Sequence, residues 1–304
     1  MKRKILNINI GVNIAINAAL ALPPVALMFK QWRLRQGQDP EKDQIGYPLG
    51  VFRKHAGLLG AQRAHGLRGA DVLEIGPGGT IGTALLMLLA GANSATCIDA
   101  LPWAAGAQVD RFSIDLIAAA AQDPANHFVA PEWQGSALAD PTAVANLLVK
   151  RIIYRAPESI NTTTLPDASY DCIFSHACFE HFADPATAIA QIARLLRPGG
   201  VTSHQIDLRD HRDFSHPLEH LRYSDTIWWL ANVRLPNGVR NRWRASEYYA
   251  AFEQQGLHLV QKIESATQIV TAQQRQHFDR HFRTMTLEDL GITGILVVGV
   301  KQEE

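Results

Sequence analysis

The sequence is poor in cysteine and has no surplus of charge. It contains three cysteines in 304 residues and no Cys-x-x-Cys pair. Their odd number and apolar neighbours argue against a disulfide framework and indicate reduced thiols in the cytosol. Lysine plus arginine equals aspartate plus glutamate, 29 each, so the formal net charge is zero. A general nucleic-acid binder needs a basic surface, and this balance argues against one.

The uncharged stretch of residues 5–29 is not a clean hydrophobic run either. Four asparagines interrupt it and Pro23-Pro24 breaks it, whereas a membrane span needs about 20 apolar residues. The spacing of its apolar residues fits either a strand or a helix with a narrow stripe of asparagines. Termination of the run at Pro23-Pro24 favours the helix. Both flanks are basic, so a segment that contacts the membrane through residues 1–35 would lie on the inner leaflet.

Three roles for this segment follow from the pattern. The first is a helix packed on its own domain or on the partner in a homodimer. The second is contact with the membrane surface, which would make a cytoplasmic protein peripheral to the inner leaflet. The third is a true span or a cleaved signal. We place a boundary after this region, with residues 1–45 as a hydrophobic and basic segment and residues 46–304 as the main domain.

From residue 70 onward, predicted strands and helices alternate. This alternation implies an α/β fold with a mostly parallel sheet and helices on both faces. The predicted strands are Asp71–Ile75, Ala95–Ile98, Arg151–Tyr154, Tyr170–Ser175, Val201–Ile206, Leu257–Ile263 and Ile295–Val300. The predicted helices are Ile81–Ala90, Leu101–Ala121, Pro141–Val149, Pro185–Leu196 and Ser246–Gln255.

A glycine-rich turn follows the first strand. Gly76 and Gly78 lie in it, and Glu74 precedes it on the strand. Such a turn lets a ligand approach the backbone closely, although plain tight turns share the pattern. Asp99 ends the next strand, twenty-one residues after Gly78. A carboxylate at this position can hold two ribose hydroxyls, which strengthens the case for a nucleotide-like ligand.

Two later motifs narrow the family. The first motif, residues 171–181, covers most of the fourth predicted strand and the segment after it and reads Asp-Cys-Ile-Phe-Ser-His-Ala-Cys-Phe-Glu-His. The second, residues 197–200, reads Arg-Pro-Gly-Gly. With the turn and Asp99, these motifs make residues 72–201 resemble the class I S-adenosylmethionine-dependent methyltransferases. The resemblance implies a Rossmann-like sheet of seven strands and S-adenosylmethionine as the cofactor. The cofactor residues that it implies are Glu74, Gly76, Gly78, Asp99, Glu158 and Ser175. Residues 156–159, Ala-Pro-Glu-Ser, fall where this family contacts adenine.

Two departures from the family pattern stand out. Thr80 occupies the place where a third glycine is usual. About fifty residues separate Asp99 from the third strand, which is more than a simple crossover needs, so we expect an inserted helix or loop there.

Histidines cluster where ligands bind in open parallel sheets, beyond the carboxyl ends of the strands. Methyl transfer needs an aligned acceptor and, for alcohols and phenols, a base that removes the proton. His211, supported by Asp207 or Asp210, is the leading candidate, and His176 is expected to line the active site. His181 fits a structural role better. Asp207, Asp210 and His211 could instead hold Mg²⁺, but no dedicated ligand spacing appears, so we predict no metal site.

A long insertion follows the fifth strand, and we call residues 208–245 the lid. It has seven arginines, no lysine, and three of the six tryptophans: Trp228, Trp229 and Trp243. Arginine forks bind carboxylate or phosphate, and aromatic faces stack on planar or sugar rings, so the lid could bind the acceptor. The alternative is a small subdomain with its tryptophans inside.

These features favour O-methylation of a small molecule or glycan. A membrane-associated C-methyltransferase for a quinone or isoprenoid-like lipid is the first alternative, and a non-catalytic methyltransferase-like binding module is the second. After strand four, Ser175-His176-Ala177-Cys178 replaces the Asn/Asp-Pro-Pro-aromatic signature of methyltransferases that act on DNA and on amino groups of proteins. This difference argues against a nucleobase or glutamine nitrogen as the acceptor.

Overall fold

The structure, a computed structural model, describes residues 10–22, 24–25, 28, 45–104, 106–122, 129–235 and 238–302. The strands are β1 Asp71–Ile75, β2 Ser94–Ile98, β3 Ile152–Arg155, β4 Tyr170–His176, β5 Leu196–Asp207, β6 Leu257–Thr267 and β7 Ile292–Lys301. The helices are α1 Ile10–Ala19, α2 Gly46–Ala61, α3 Gly82–Leu89, α4 Arg111–Gln122, α5 Ser136–Ala139, α6 Pro141–Val149, α7 Pro185–Leu195, α8 Asp225–Asn232, α9 Ala245–Gln254, α10 Ala272–Gln276 and α11 Leu287–Gly291.

The seven strands form one sheet in the order β3-β2-β1-β4-β5-β7-β6. The first five pair in parallel, and β7 runs antiparallel between β5 and β6. The register sets Ile75 beside Ile98 on one side and Ser175 on the other. The carboxyl ends of β1, β2 and β4 therefore meet at one edge. The Rossmann-like, mostly parallel seven-stranded fold is confirmed.

Helices cover both faces of this sheet. On one face α2, α3, α4 and α6 enclose the larger core, and every residue of α3 is buried. On the other face α7 and α9 pack over β4, β5 and β7. Helix α7 starts where the sequence predicts, because Asp184 accepts a hydrogen bond from Thr187 N (3.0 Å) and Pro185 occupies the first turn.

The helix predicted over Leu101–Ala121 is shorter than expected. Gly106 has φ of +97°, which a helix interior does not allow, and α4 begins only at Arg111. There Asp110 Oδ1 accepts from Ser113 N (2.8 Å) and caps the helix. The insertion expected after Asp99 is present and contains α4, α5 and α6.

Strand β5 is longer than predicted, because Leu196, which precedes the Arg-Pro-Gly-Gly segment, also pairs with β4. Leu196 lies opposite Tyr170. Arg197 donates to Asp171 (2.6 Å) and to Asp71 (3.0 Å), linking the starts of β4 and β1. This family motif thus stabilises the end of the sheet opposite the carboxyl edge.

The N-terminal segment is helical where it is described, and α1 packs against α8. Asn17 joins them by donating to Ala231 O (2.5 Å) and accepting from Arg234 N (2.7 Å). No helix in the described ranges is long and apolar enough to cross a membrane. Residues 1–9, 23, 26–27 and 29–44 of the segment lie outside the described residues, and α2 begins at Gly46.

Candidate cofactor and active site

A cavity of about 360 Å³ opens at the carboxyl edge of the sheet. Its walls are the ends of β1 and β2 and the segments that follow β3 and β4. Four of the six predicted cofactor residues line it: Gly76, Gly78, Asp99 and Glu158. The topology therefore brings these four residues together from positions up to about eighty residues apart in the chain.

The two glycines of the turn serve different purposes. Both take positive φ, +71° at Gly76 and +68° at Gly78. A Cβ on Gly76 would lie 2.6 Å from Cys178 Sγ, so close packing against the segment after β4 requires glycine there. A Cβ on Gly78 would meet nothing within 4 Å, so this glycine leaves an open space beside the cavity.

Asp99 is anchored by the backbone. Its Oδ2 accepts from Gly78 N (3.1 Å) and its Oδ1 accepts from Leu101 N (2.9 Å). A carboxylate can accept up to about four hydrogen bonds, which is the capacity that binding of ribose hydroxyls requires. Its backbone oxygen accepts from Glu158 N (2.8 Å). This bond links the segment expected to contact adenine to the carboxylate residue expected to bind the ribose. The Glu158 carboxylate itself accepts from Arg155 (2.5 Å) and from Thr163 (2.5 Å).

The other two predicted cofactor residues lie behind the cavity wall. Glu74 is 5% exposed, and Cys97 Sγ donates to it at 3.7 Å. Burial raises the pKa of Glu74 to about 8. Ser175 is fully buried, with its hydroxyl 2.8 Å from His204 Nδ1. Neither side chain lines the cavity, and any effect of either on the cofactor would pass through its neighbours.

The threonine in place of the third glycine has a local role. Thr80 Oγ1 accepts a hydrogen bond from Gly82 N (3.0 Å), the first residue of α3. A hydroxyl here satisfies one of the free amides at the start of the helix. The departure from the family pattern thus leaves the turn intact.

The predicted base pair, His211 and Asp207, is brought together. His211 Nε2 lies 3.3 Å from Asp207 Oδ2, within ion-pair distance but without hydrogen-bond geometry to any described residue. Burial lowers the pKa of His211, but the contact with Asp207 and the negative charge of Glu180 outweigh it, so that pKa is raised. The His211 ring centre is 5.6 Å from that of His181, which lines the cavity.

Glu180 was not among the predicted site residues. It is 2% exposed, and neither carboxylate oxygen has a hydrogen-bond partner among the described residues. Burial raises its pKa to about 7, against the opposing charge of His211. A second small cavity, of about 10 Å³, lies between Glu180, Asp207 and His220. Two carboxyl groups, those of Asp207 and Glu180, therefore act on His211. The sequence motif at residues 180–181, Glu-His, does not reveal this grouping by itself.

His176 belongs to a different set of contacts. Its Nδ1 lies 3.2 Å from His55 Nε2, and His55 Nδ1 lies 2.9 Å from Ser203 Oγ. The ring of Tyr47 stands edge-on to His176 at 6.1 Å. His55 and Tyr47 come from α2, which the sequence analysis did not predict. The residues that follow His176 in the chain, Ala177 and Cys178, line the main cavity, whereas His176 does not.

Most lid arginines already bind carboxylates or backbone oxygens of the protein. Arg209, Arg212 and Arg222 pair with Asp207, Asp210 and Glu219. Arg242 binds Asp225, and the buried Arg244 binds three backbone oxygens. Trp228 is buried, Trp243 is half-buried and Trp229 is exposed on α8. The lid therefore has an internal structure of its own, and Arg240 is the lid arginine that lines the cavity.

The alternative metal set does not form. Asp210 is paired with Arg212, away from the Asp207–His211 pair. In the described part of the chain, no three or more His, Cys, Asp or Glu side chains are arranged to hold a metal ion.

The cavity residues fit S-adenosylmethionine. The open space at Gly78 admits a ligand against the backbone. Asp99 offers oxygens suited to ribose hydroxyls, and Glu158 and Ile160 flank the position expected for adenine. When bound, this cofactor supplies an electrophilic methyl group, and the remaining task of the protein is to place and deprotonate an acceptor.

Comparison with known proteins identifies the family. Residues 51–262 match the family described as "Methyltransferase domain". This match covers more than half of the chain, and the chain belongs to that family. It is a class I S-adenosylmethionine-dependent methyltransferase, and S-adenosylmethionine is its cofactor.

Several solved structures have a similar arrangement. A Haloferax volcanii methyltransferase in complex with the Trm112 methyltransferase activator is 18% identical, over 86% of this chain and 97% of that chain, with a TM-score of 0.43. An S-adenosylmethionine dependent methyltransferase from Mesorhizobium loti is 14% identical, over 84% and 98%, also with a TM-score of 0.43.

A short stretch also resembles a curated protein, an uncharacterized 37.1 kDa protein in transposon TN4556 of Streptomyces fradiae. The identity is 49% over 41 residues, which is 14% of this chain. The matched stretch spans only 12% of the length of that relative.

Proposed function

We propose that this enzyme transfers the methyl group of S-adenosylmethionine to an oxygen atom of a small molecule or glycan. The observation that carries the proposal is the His211–Asp207 pair, 3.3 Å apart, with the His211 ring centre 5.6 Å from that of His181, which lines the cavity. An alcohol loses its proton reluctantly, so a histidine held by a carboxylate is the kind of base that O-methylation needs.

In this proposal each residue has a distinct role. Gly76, Gly78 and Asp99 hold the cofactor, with Glu158 at its adenine end. His211 accepts the hydroxyl proton, Asp207 orients His211 and stabilises its charged form, and Arg240 offers a cation to an acidic acceptor. His176, which contacts His55 and does not line the cavity, would act on the acceptor side through its neighbours Ala177 and Cys178. The free cysteines suit the cytoplasm, which we propose as the compartment.

C-methylation of a quinone or isoprenoid-like lipid remains the second candidate. The exposed apolar residues of α1 and α8 favour it, because they could bring the enzyme to a membrane. Arg240 at the cavity favours the polar acceptor instead. Membership of a methyltransferase family favours transfer over a purely binding role.

The test is methyl transfer from labelled S-adenosylmethionine into small-molecule and glycan fractions of cells that lack the protein. Mass spectrometry of the product locates the new methyl group on oxygen or on carbon. For His211→Gln we expect transfer to fall about 10²- to 10⁴-fold, with unchanged binding of S-adenosylhomocysteine.

The matched control is His216→Gln. His216 also contacts a carboxylate, Asp213 at 2.8 Å, but it is exposed on the lid. We expect this variant to retain full activity. Methylation on carbon, or an undiminished rate in His211→Gln, would contradict the proposal.

A further inference from the structure

Helix α1 is packed with its polar side inward. Asn13 and Asn17 are 4% and 1% exposed, whereas Val12 is 50% exposed. The amide of Asn17 is used in hydrogen bonds to Ala231 and Arg234. A helix on a water-facing surface normally shows the opposite arrangement, with its apolar side buried. The inward asparagines therefore leave aliphatic side chains pointing away from the protein.

Helix α8 adds to this apolar surface. It buries Trp228 and turns its next residues outward. Because α1 lies against α8, we group the exposed side chains of α1, of the turn after it and of α8 as one surface. We call this region the outer apolar face, and its large members are Val12 (50% exposed), Leu22 (58%), Ile227 (39%), Trp229 (55%) and Leu230 (40%). A cluster of exposed apolar side chains marks an interaction site.

Among the described residues, Arg234 brings positive charge to this face. The first 35 residues of the sequence carry six lysines and arginines and no acidic residue. Arg234, whose backbone is bonded to Asn17, is exposed beside α1. Asp225, on the first turn of α8, is already paired with Arg242 (2.5 Å). The surroundings therefore favour a negatively charged partner.

We propose that the outer apolar face binds the surface of an anionic lipid bilayer. Aliphatic residues would enter the boundary between headgroups and acyl chains, and the indole of Trp229 suits that depth because it has both apolar and polar parts. Arg234 beside the face would add attraction to anionic headgroups. In this proposal the described helix α1, Ile10–Ala19, lies along the membrane surface with Val12 toward the lipid.

A second copy of the chain fits this face less well. In a two-fold dimer the face would meet itself, and the exposed Arg234 side chains of both copies would lie at the same interface. Like charges at an interface oppose association, whereas anionic lipid neutralises them. The proposal does not depend on the acceptor or on methyl transfer.

The experiment is co-sedimentation of the full chain with vesicles of phosphatidylcholine alone or mixed with phosphatidylglycerol. We expect binding to the mixed vesicles, at least about tenfold weaker binding to neutral ones, and loss of binding as salt rises and shortens the Debye length. Trp229→Glu should weaken binding to mixed vesicles about tenfold or more, since it places a charge at the apolar boundary.

Ile269→Glu is the matched control. Ile269 is 92% exposed and lies outside the outer apolar face, so this variant adds the same charge elsewhere. Its vesicle binding should equal that of the wild type. Retained affinity for S-adenosylhomocysteine in both variants shows that the fold is intact. Equal binding of Trp229→Glu and the wild type would overturn the proposal. So would a dimer in light scattering that Trp229→Glu dissociates, without vesicle binding.

Discussion

At the scale of single residues, two glycines with the same backbone conformation differ in what surrounds them. Gly76 is pressed against Cys178, whereas Gly78 faces open space beside the cofactor cavity. Gly135 resembles Gly78 in both respects, with φ of +80° and nothing within 4 Å of an added Cβ, but it lies outside the cavity. Substitutions at Gly78 and Gly135 therefore distinguish the effect of backbone strain from the effect of lost space for the ligand.

We therefore predict that Gly78→Ala and Gly135→Ala lose similar stability, about 1–2 kcal/mol each, because alanine is strained at positive φ. Only Gly78→Ala should lose affinity for S-adenosylhomocysteine, by about tenfold or more. Urea unfolding and titration calorimetry measure the two effects. Equal affinities in the two variants would show that Gly78 does not face the cofactor.

Residues that follow strand ends could be predicted from spacing. Gly76, Gly78 and Asp99 meet because parallel strands align their carboxyl ends, and that rule is visible in the sequence. Glu180 and His55 could not be predicted in this way. The environment of Glu180 depends on a lid residue thirty-one positions later, and His55 reaches a residue 121 positions away.

At the scale of elements, a buried arginine holds the lid to the sheet. Arg244, at the end of the lid, is fully buried and donates to Leu208 O (3.1 Å), Leu290 O (3.1 Å) and Ile292 O. These oxygens belong to the segment after β5, to α11 and to β7. Burial lowers the pKa of Arg244 to about 10, and its guanidinium binds backbone oxygens in place of a carboxylate.

We predict that Arg244→Lys destabilises the protein by about 3 kcal/mol, because an ammonium group cannot bridge three separate carbonyls and leaves buried acceptors unpaired. The control is Arg222→Lys, an exposed lid arginine paired with Glu219, which should leave the unfolding midpoint unchanged. Urea denaturation gives both values. A similar midpoint for the two variants would mean that Arg244 does not hold the lid.

Elements with strong local signals were predicted well. Asp184-Pro185 sets the start of α7, and α6 has its predicted bounds, Pro141–Val149. Helices α2 and α8 were not predicted, because their helical state is stabilised by distant partners. Helix α2 packs on α3 and β5, and α8 packs on α1. The sequence also could not show how many lid arginines are available to an acceptor, since that depends on contacts in the folded protein. Ion pairs within the lid occupy most of those arginines.

At the scale of the whole molecule, buried titratable groups of opposite kinds shape the pH dependence of stability. Burial lowers the pKa of His55, His204 and His220, that of His204 to about 3. Burial raises the pKa of Glu74 to about 8 and of Glu180 to about 7. All five therefore prefer their neutral forms in the folded state.

The two kinds of group act in opposite directions. The histidines contribute stability above their ordinary pKa of about 6.5, and it is lost as the pH falls. The glutamates contribute stability below their ordinary pKa of about 4.5, and it is lost as the pH rises through about 7 and about 8. Unfolding thus takes up protons on the acid side and releases them on the alkaline side, with greatest stability at about pH 6.

We predict that Glu180→Gln moves this maximum to higher pH and flattens the decline between about pH 6 and 8, since one of the two groups that release protons is gone. The measurement is the free energy of urea unfolding at half-unit steps from pH 5 to 8. Glu288→Gln, at an exposed position, is the matched control and should reproduce the wild-type curve. If Glu180→Gln also reproduces that curve, Glu180 is ionised in the folded protein, and the acid pair around His211 would carry two negative charges at neutral pH.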